Sequence, residues 1–269
     1  MRNQLKLLCA AAALVLAACD MVGVYERQIE SATRAIEAAK TDVSRALAYS
    51  DRGRGYSDKA RLSLLRKAID HDEYVRLFDL AVKDHDQAVA LDAGNAETYF
   101  DRGLSYYDRA ALANEPGVDH GPWFDAARKD FATAIEKDRN HRGAYDYLGL
   151  VDEQTGRFDE AVADYTHELE FDRRLGRSRL AELYCDRGQS HMQAKKYELA
   201  VADLEKSVEF TDRSDGCSCE PYNTLAYIYI DEQKQYDKGW ELVHRAQSSN
   251  QLIASEYVER LKQGSGRNQ

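Results

Sequence analysis

The chain has 269 residues, with 37 Lys and Arg against 47 Asp and Glu, a formal net charge of −10 and a pI near 5.3. Nucleic acid and anionic lipid surfaces attract Lys and Arg, so this acidity argues against both and favours neutral or basic partners. Three prolines, 31% charged residues and no long low-complexity segment suit one extended or two smaller helical domains.

Residues 1–18 read as an export signal. Arg2 and Lys6 precede an uncharged apolar run from Leu7 to Leu16, and Leu16-Ala17-Ala18-Cys19 supplies a small-residue cleavage site. The run is shorter than the roughly 20 apolar residues of a spanning helix. It resembles a bacterial lipoprotein signal. That resemblance implies that Cys19 is acylated, a covalent lipid being the only cofactor expected, and that 19–24 is a short linker to the envelope membrane. The linker reaches about 20 Å at most, which keeps the folded part near its membrane. Asp20 resembles the inner-membrane retention signal of enteric bacteria and tilts the choice toward the inner membrane without deciding it. Loss of Arg2 and Lys6 leaves 35 basic against 47 acidic residues, a charge of −12.

Ile29, Ala32, Ile36 and Ala39 give residues 25–45 the rhythm of a single capping helix. A repeated array follows over 46–250. Tyr49-Ser-Asp-Arg-Gly53, Tyr99-Phe-Asp-Arg-Gly103 and Tyr184-Cys-Asp-Arg-Gly188 share one pattern. Tyr145, Leu148 and Gly149 form a weaker copy, and Tyr222, Leu225 and Ala226 a fifth. Their spacing puts these groups on one helical face. After each comes an aromatic residue, two variable residues and a small one: Phe78 to Ala81, Phe124 to Ala127, Phe158 to Ala161, Tyr197 to Ala200 and Tyr236 to Gly239. This is the pattern of a second helix whose small residue allows close approach to the glycine of the first.

These paired signatures resemble the tetratricopeptide repeat, and self-similarity at such a period marks a solenoid. The resemblance implies an all-α, right-handed α-solenoid of five helix pairs. Glycine-to-small-residue spacing is 12 in the third and fourth copies but 28 in the first and 24 in the second. The extra residues around Ser57 to Val75 still read helical, which predicts lengthened helices. Those from Asn114 to Pro122 read as a loop. Leu252, Ile253, Tyr257 and Leu261 give 251–263 the stripe of a C-terminal cap, as an open solenoid end requires. Residues 264–269 read as a disordered tail.

In four second helices an aspartate stands three residues after the small residue: Asp84, Asp130, Asp164 and Asp203. Antiparallel packing then pairs Arg52 with Asp84, Arg102 with Asp130 and Arg187 with Asp203, as structural joints and not catalytic groups. Pairing to the preceding unit would leave Arg52 facing Ser31. Asp164 is expected to lack a partner, because Leu148 replaces the arginine.

A second stripe on each first helix lines the concave groove that the resemblance implies. It comprises Glu97, Phe100, Leu104 and Tyr107, then Asp146, Leu150 and Glu153, then Glu182, Gln189 and Met192, then Asn223 and Tyr227. Gly143, Cys185, Glu220 and Ile230 fall at the remaining stripe positions. Carboxylates alternate with apolar groups and no lysine appears, which suits a polypeptide segment with apolar anchors and Lys or Arg between them. Part of the stripe packing on the C-terminal cap is the competing reading.

Of the remaining cysteines, Cys185 bridging to Cys217 or Cys219 is the comfortable geometry if the segments adjoin, since Cys217 and Cys219 are too close in sequence for an unstrained bridge. A cysteine metal site fails for want of a fourth ligand, and no metal is expected. His71 and His85 are too far apart on a helix to share an ion and read as solvated surface. The resemblance implies a membrane-anchored adaptor without enzymatic activity, of the kind that serves envelope proteases, peptidoglycan hydrolases or secretin assembly. The alternative is a small cell-wall hydrolase with Asp119 and His120 in the 114–122 loop.

Overall fold

The computed structural model describes residues 23–65, 71–112, 117–211, 220–249 and 251–267, and among these all regular structure is helical. Helix α1 covers 23–38. It is followed by α2 (Asp42–Leu65), α3 (His71–Leu91), α4 (Ala96–Leu112), α5 (Gly121–Lys137), α6 (Arg142–Gln154) and α7 (Phe158–Phe171). Then come α8 (Arg173–Gln193), α9 (Tyr197–Phe210), α10 (Pro221–Tyr227), a π-turn (Ile228–Glu232), α11 (Tyr236–Ser248) and α12 (Ser255–Ser265). The export signal, Cys19, Cys217 and Cys219 lie outside the described residues. The chain divides into two units, Met1–Val151 and Asp152–Gln269, and the division falls inside α6.

In the first unit α2 packs along α3 and α4 along α5, and both α2 and α3 also meet α4. The apolar stripe of α3, with Tyr74, Leu77, Phe78, Ala81 and Ala88 at helical spacing, is fully withdrawn from solvent. The first pair is long, 24 residues in α2 and 21 in α3, so the inserted residues extend helices. At the start of the second long segment the loop is shorter than the sequence suggests. Gly121 and Pro122 already belong to α5, where proline costs little because first-turn N–H groups have no helical acceptor.

In the second unit α8 packs on both α7 and α9, and α10, α11 and α12 close around one another. The fifth pair has Ala226 at the glycine position and 13 residues to Gly239, one more than the 12 of the third and fourth pairs. The wider π-turn at Ile228–Glu232 takes up that residue, so the register of Gly239 is kept.

A glycine sets the approach of the helices in three pairs. A methyl group built on Gly103 would lie 2.7 Å from the Phe131 ring, one on Gly188 would lie 2.8 Å from Leu204, and one on Gly53 would lie 2.5 Å from the His85 ring. The nearest groups are thus the residues one turn beyond Ala81, Ala127 and Ala200, and at Gly188 the Ala200 carbonyl also lies within 3.3 Å. The alanines are buried at 0% exposure beside them. His85 is therefore an interior residue, 1% exposed, and not the solvated one its Asp-flanked sequence suggests. His71 is exposed.

Both ends are capped, with boundaries that differ from the sequence reading. The N-terminal cap ends at residue 38, and Ile29 and Gln28 cover Gly55 of α2. At the other end α12 continues through Gly264 to Ser265, and a side chain at Gly264 would strike the Tyr236 ring. Leu261, fully buried, packs on Gly239, and Gly266 ends the helix in the left-handed region at φ 68°.

Replacing Gly103 or Gly188 by alanine is expected to destabilise the fold by about 1–3 kcal/mol through overpacking. Gly94→Ala, at an exposed turn, should be close to neutral. Urea midpoints of the three variants check this, and equal midpoints would contradict it.

Candidate functional site

The arginines of the repeated pentapeptide form three clamps. Arg52 donates from Nε and Nη2 to Asp84 at 2.6 and 2.7 Å, Arg102 to Asp130 at 2.7 and 2.8 Å, and Arg187 to Asp203 at 2.8 and 2.7 Å. Each guanidinium also lies over the tyrosine three residues earlier, Tyr49, Tyr99 or Tyr184, at 5.5, 5.7 and 5.4 Å from the ring centroid. Nη1 then reaches back to the preceding helix: to Thr33 at 3.4 Å, Asp86 at 2.8 Å and Asp159 at 3.3 Å. One side chain thus ties three helices, so the arginines contact the preceding helix as well as their own pair, and Arg52 does so through Thr33 and not Ser31. The planar fork of arginine suits this task, and lysine could not copy it. Asp164 has an interaction of its own, so the expectation that it stands alone is corrected.

These joints decide which stripe residues remain free to meet a partner. In the first unit most are occupied. Phe100 packs among Phe131, His141 and Tyr147 with centroids 4.6–5.8 Å away, and Tyr107 lies between Phe124 and Tyr147. Leu104 joins the same cluster, and a side chain at Gly143 would strike Phe100. Glu97 meets His141 at 3.2 Å and Arg54 at 3.9 Å, and Asp146 is also engaged. The stripe here is largely aromatic and packed, and its carboxylate Glu97 stays exposed beside His141 and Arg54. Leu150 is half-buried.

In the second unit the fifth pair is occupied too. Asn223 receives a hydrogen bond from the Ala254 backbone at 2.9 Å and donates to Glu220 at 2.6 Å, while the Tyr227 hydroxyl donates to Glu232 at 2.5 Å. That bond raises the Tyr227 phenol to about 12. Ile230 and Cys185 are buried. The segment before α12 therefore takes up this end of the stripe.

What remains is the outward face of α8 with the end of α6. Glu182 and Asp186 stand one turn apart, both at least partly exposed, and no ion pair joins either among the described residues, while Gln189 is engaged elsewhere and Met192, partly exposed, packs on the core of the last helices. Glu153 accepts from the Tyr165 hydroxyl at 3.0 Å. Burial raises its carboxyl above the usual range, with Asp186 and Glu182 adding to the rise and Tyr165 and Arg179 opposing it. Asp186 is raised by burial as well. Three carboxylates thus share a surface where one more negative charge is unwelcome and a cation would be stabilised. Asp186 was not marked by the stripe arithmetic. It is the aspartate of the pentapeptide, exposed on α8 although Asp101, at the same position of α4, is buried.

The loop before α5 has a local structural role. Asp119 accepts from the Gly121 backbone at 2.9 Å, and His120 is the residue preceding that helix. Two concavities, of 630 and 440 Å³, are lined by residues of the second unit between 202 and 267. Cys185 is disulfide-bonded, and its partner lies outside the described residues, as Cys217 does. No group of three or more His, Cys, Asp or Glu able to hold a metal occurs among the described residues, and no helix there is long and apolar enough to cross a membrane.

Helix pairs closed by a glycine contact and an arginine clamp define an α-helical repeat protein. Residues 181–212, the end of α8 with α9, match the family model of the tetratricopeptide repeat, so the chain carries that repeat, a protein-interaction module. No curated protein matches the chain. Among solved structures it is similar to MamA, at 19% identity over 70% of this chain and 89% of that one, with a TM-score of 0.46. It is also similar to the OM64 TPR domain of Arabidopsis, at 20% identity over 50% of this chain and 96% of that one, TM-score 0.36. BtubC of P. vanneervenii is 15% identical over 93% of this chain and 91% of that one, TM-score 0.42.

Removing Asp130 leaves the Arg102 guanidinium, only 19% exposed, without its principal acceptor. Asp130→Ala is expected to cost about 3 kcal/mol, whereas Arg102→Met with Asp130→Leu should cost less than about 1 kcal/mol. Urea unfolding of both variants distinguishes the clamp from an incidental surface pair.

Proposed function

We propose that the protein is an adaptor that holds a polypeptide segment on the outward face of α8, with Glu182, Asp186 and Glu153 receiving Lys or Arg and Met192 receiving an apolar anchor. The observation that carries this reading is the contrast between the two units. In the first-unit stripe Glu97 lies beside Arg54 and His141 and Asp146 is otherwise engaged, whereas no ion pair joins Glu182 or Asp186 among the described residues. A segment bearing basic residues would supply the missing charges, and two or three such contacts at a partly exposed surface are each modest in strength. Recognition of this kind gains its affinity from apolar anchors and its selectivity from charge.

The same proposal places the protein at a membrane of the bacterial envelope through a lipid on Cys19, with a role in envelope assembly, proteolysis or peptidoglycan remodelling. The sequence before residue 23 supports it: a short apolar run, small residues and a cysteine. Asp20 favours the inner membrane. No metal and no nucleic acid belongs to this reading, and the loop at Asp119 and His120 is given no catalytic task.

The test is capture from a peptide library in which Leu or Phe alternates with Lys, Arg, Glu or Gln. Wild-type protein should enrich the Lys and Arg peptides, and Glu182→Lys with Asp186→Lys should weaken their binding at least ten-fold while leaving circular dichroism unchanged. Equal capture by the charge-reversed variant would remove α8 as the binding face. Metabolic labelling with palmitate, compared with a Cys19→Ser variant, tests the anchor separately.

A further inference from the structure

Helices α2 and α4 meet along a seam of polar groups. Arg54 and Arg61, about two turns apart on α2, face Asp101 and Asp108, spaced alike on α4. Arg54 Nε lies 3.6 Å from Asp101 Oδ2, and Arg61 Nε lies 3.3 Å from Asp108 Oδ2. Both aspartates are buried, at 3% and 6% exposure, yet neither Oδ2 receives a hydrogen bond. The arginines donate instead along their own helix, Arg54 to Asp51 at 2.8 Å and Arg61 to Asp58 at 2.5 Å. Between the two crossings Ser57 Oγ and Ser105 Oγ are 3.0 Å apart, and Ser105 Oγ is 3.2 Å from His85 Nδ1 on α3.

A carboxylate withdrawn from water and left without a hydrogen bond gains by taking up a proton. Burial raises Asp101 to about 7, with Arg54 and the Ser50 side chain opposing and Glu97 and Asp51 adding. Burial raises Asp108 to about 6, with Asp58 adding and Arg61 opposing. His85 is pushed down to about 3 by burial, with Arg54 and Arg102 contributing, and stays neutral. Tyr147 of α6 bears on Arg61.

We propose that the α2–α4 seam is a proton-operated hinge, closed while Asp101 and Asp108 are neutral and loosened as they ionise and draw water between the helices. The direction follows from the two states. Hydrated aspartate titrates near 4, so the closed seam binds protons more tightly than an open one. Closure is therefore favoured at low pH and lost as pH rises through 6 and 7. An opened seam would also charge His85 below about 6.5, which acts in the opposite sense, so the aspartates are read cleanly between about 6.5 and 8.5. Opening would part Arg54 from Asp101 and Glu97 and recast the first-unit stripe. The response of the seam does not require that a peptide bind.

The test is amide hydrogen exchange of the full chain at pH 6.5 and 8.5, corrected for intrinsic exchange rates, comparing α2 and α4 with α9. Protection in α2 and α4 should fall roughly five-fold at the higher pH, with α9 unchanged. Asp101→Asn with Asp108→Asn, whose amides stand in for the protonated acids, should give equal protection at both values. Protection in wild type that does not change with pH, or that falls equally in α9, overturns the hinge, as does a double variant that keeps the full change. If the double variant does not fold, the wild-type comparison decides.

Discussion

Every feature of this protein that bears on binding depends on how closely two helices of a pair approach. The distance is set where a glycine of the first helix meets a side chain of the second: Gly53 with His85, Gly103 with Phe131, Gly188 with Leu204. Those glycines leave room for an aromatic, imidazole or branched group that would otherwise hold the helices apart. Glycine inside a helix costs roughly 1 kcal/mol of propensity, so its repeated use implies a packing gain that exceeds this. Close approach also brings the arginine one residue earlier within reach of the second-helix aspartate, which makes the bidentate geometry attainable. Packing and charge at the joint are therefore a single device, and the outward faces of the first helices follow from it.

That device leaves different surfaces in the two units. Around α4 and α6 the space beyond the joint is filled by Phe100, Tyr107, Phe131 and Tyr147 in edge-on and tilted contacts, so the seam is apolar and mutually supporting. Around α2 and α4 the facing groups are arginine, aspartate and serine, with buried oxygens left unmatched. Such a seam contributes little net stability and responds to protons and water, whereas the aromatic one does not. On α8 the joint uses Arg187 inward and turns Glu182 and Asp186 outward. One repeated pattern thus carries three electrostatic characters, with the glycine and arginine kept in α2, α4 and α8 and leucine at the arginine position of α6.

Much of the fold was legible in the sequence because the packing rule repeats. The aromatic-to-small spacing located every second helix, and the arginine-to-aspartate arithmetic named three residue pairs that the structure brings within hydrogen-bond distance. What the pattern could not convey was what one position does in three dimensions. The side chain nearest each glycine lies a turn beyond the small residue that the alignment highlights, and the reach of each arginine to Thr33, Asp86 or Asp159 has no fixed sequence offset. His85 reads as polar surface between two aspartates, yet the long first pair turns it inward against Gly53. The groove was less legible still. Stripe positions on paper are equivalent, but Phe100, Glu97 and Asn223 are consumed by neighbouring helices, and only contacts between elements distant in sequence show this. The single extra residue before Gly239 gave a signal in the spacing, though a π-turn is one of several ways to absorb it.

The glycine contact can be tested without reference to any partner by a double-mutant cycle between Gly103→Ala and Phe131→Leu, with stability read from urea unfolding. If the contact sets the interhelix distance, the smaller side chain makes room for the added methyl group, and the double variant is more stable than the sum of the single effects by about 1 kcal/mol or more. Strictly additive effects would mean that Gly103 and Phe131 do not constrain one another and that the helices are spaced by something else.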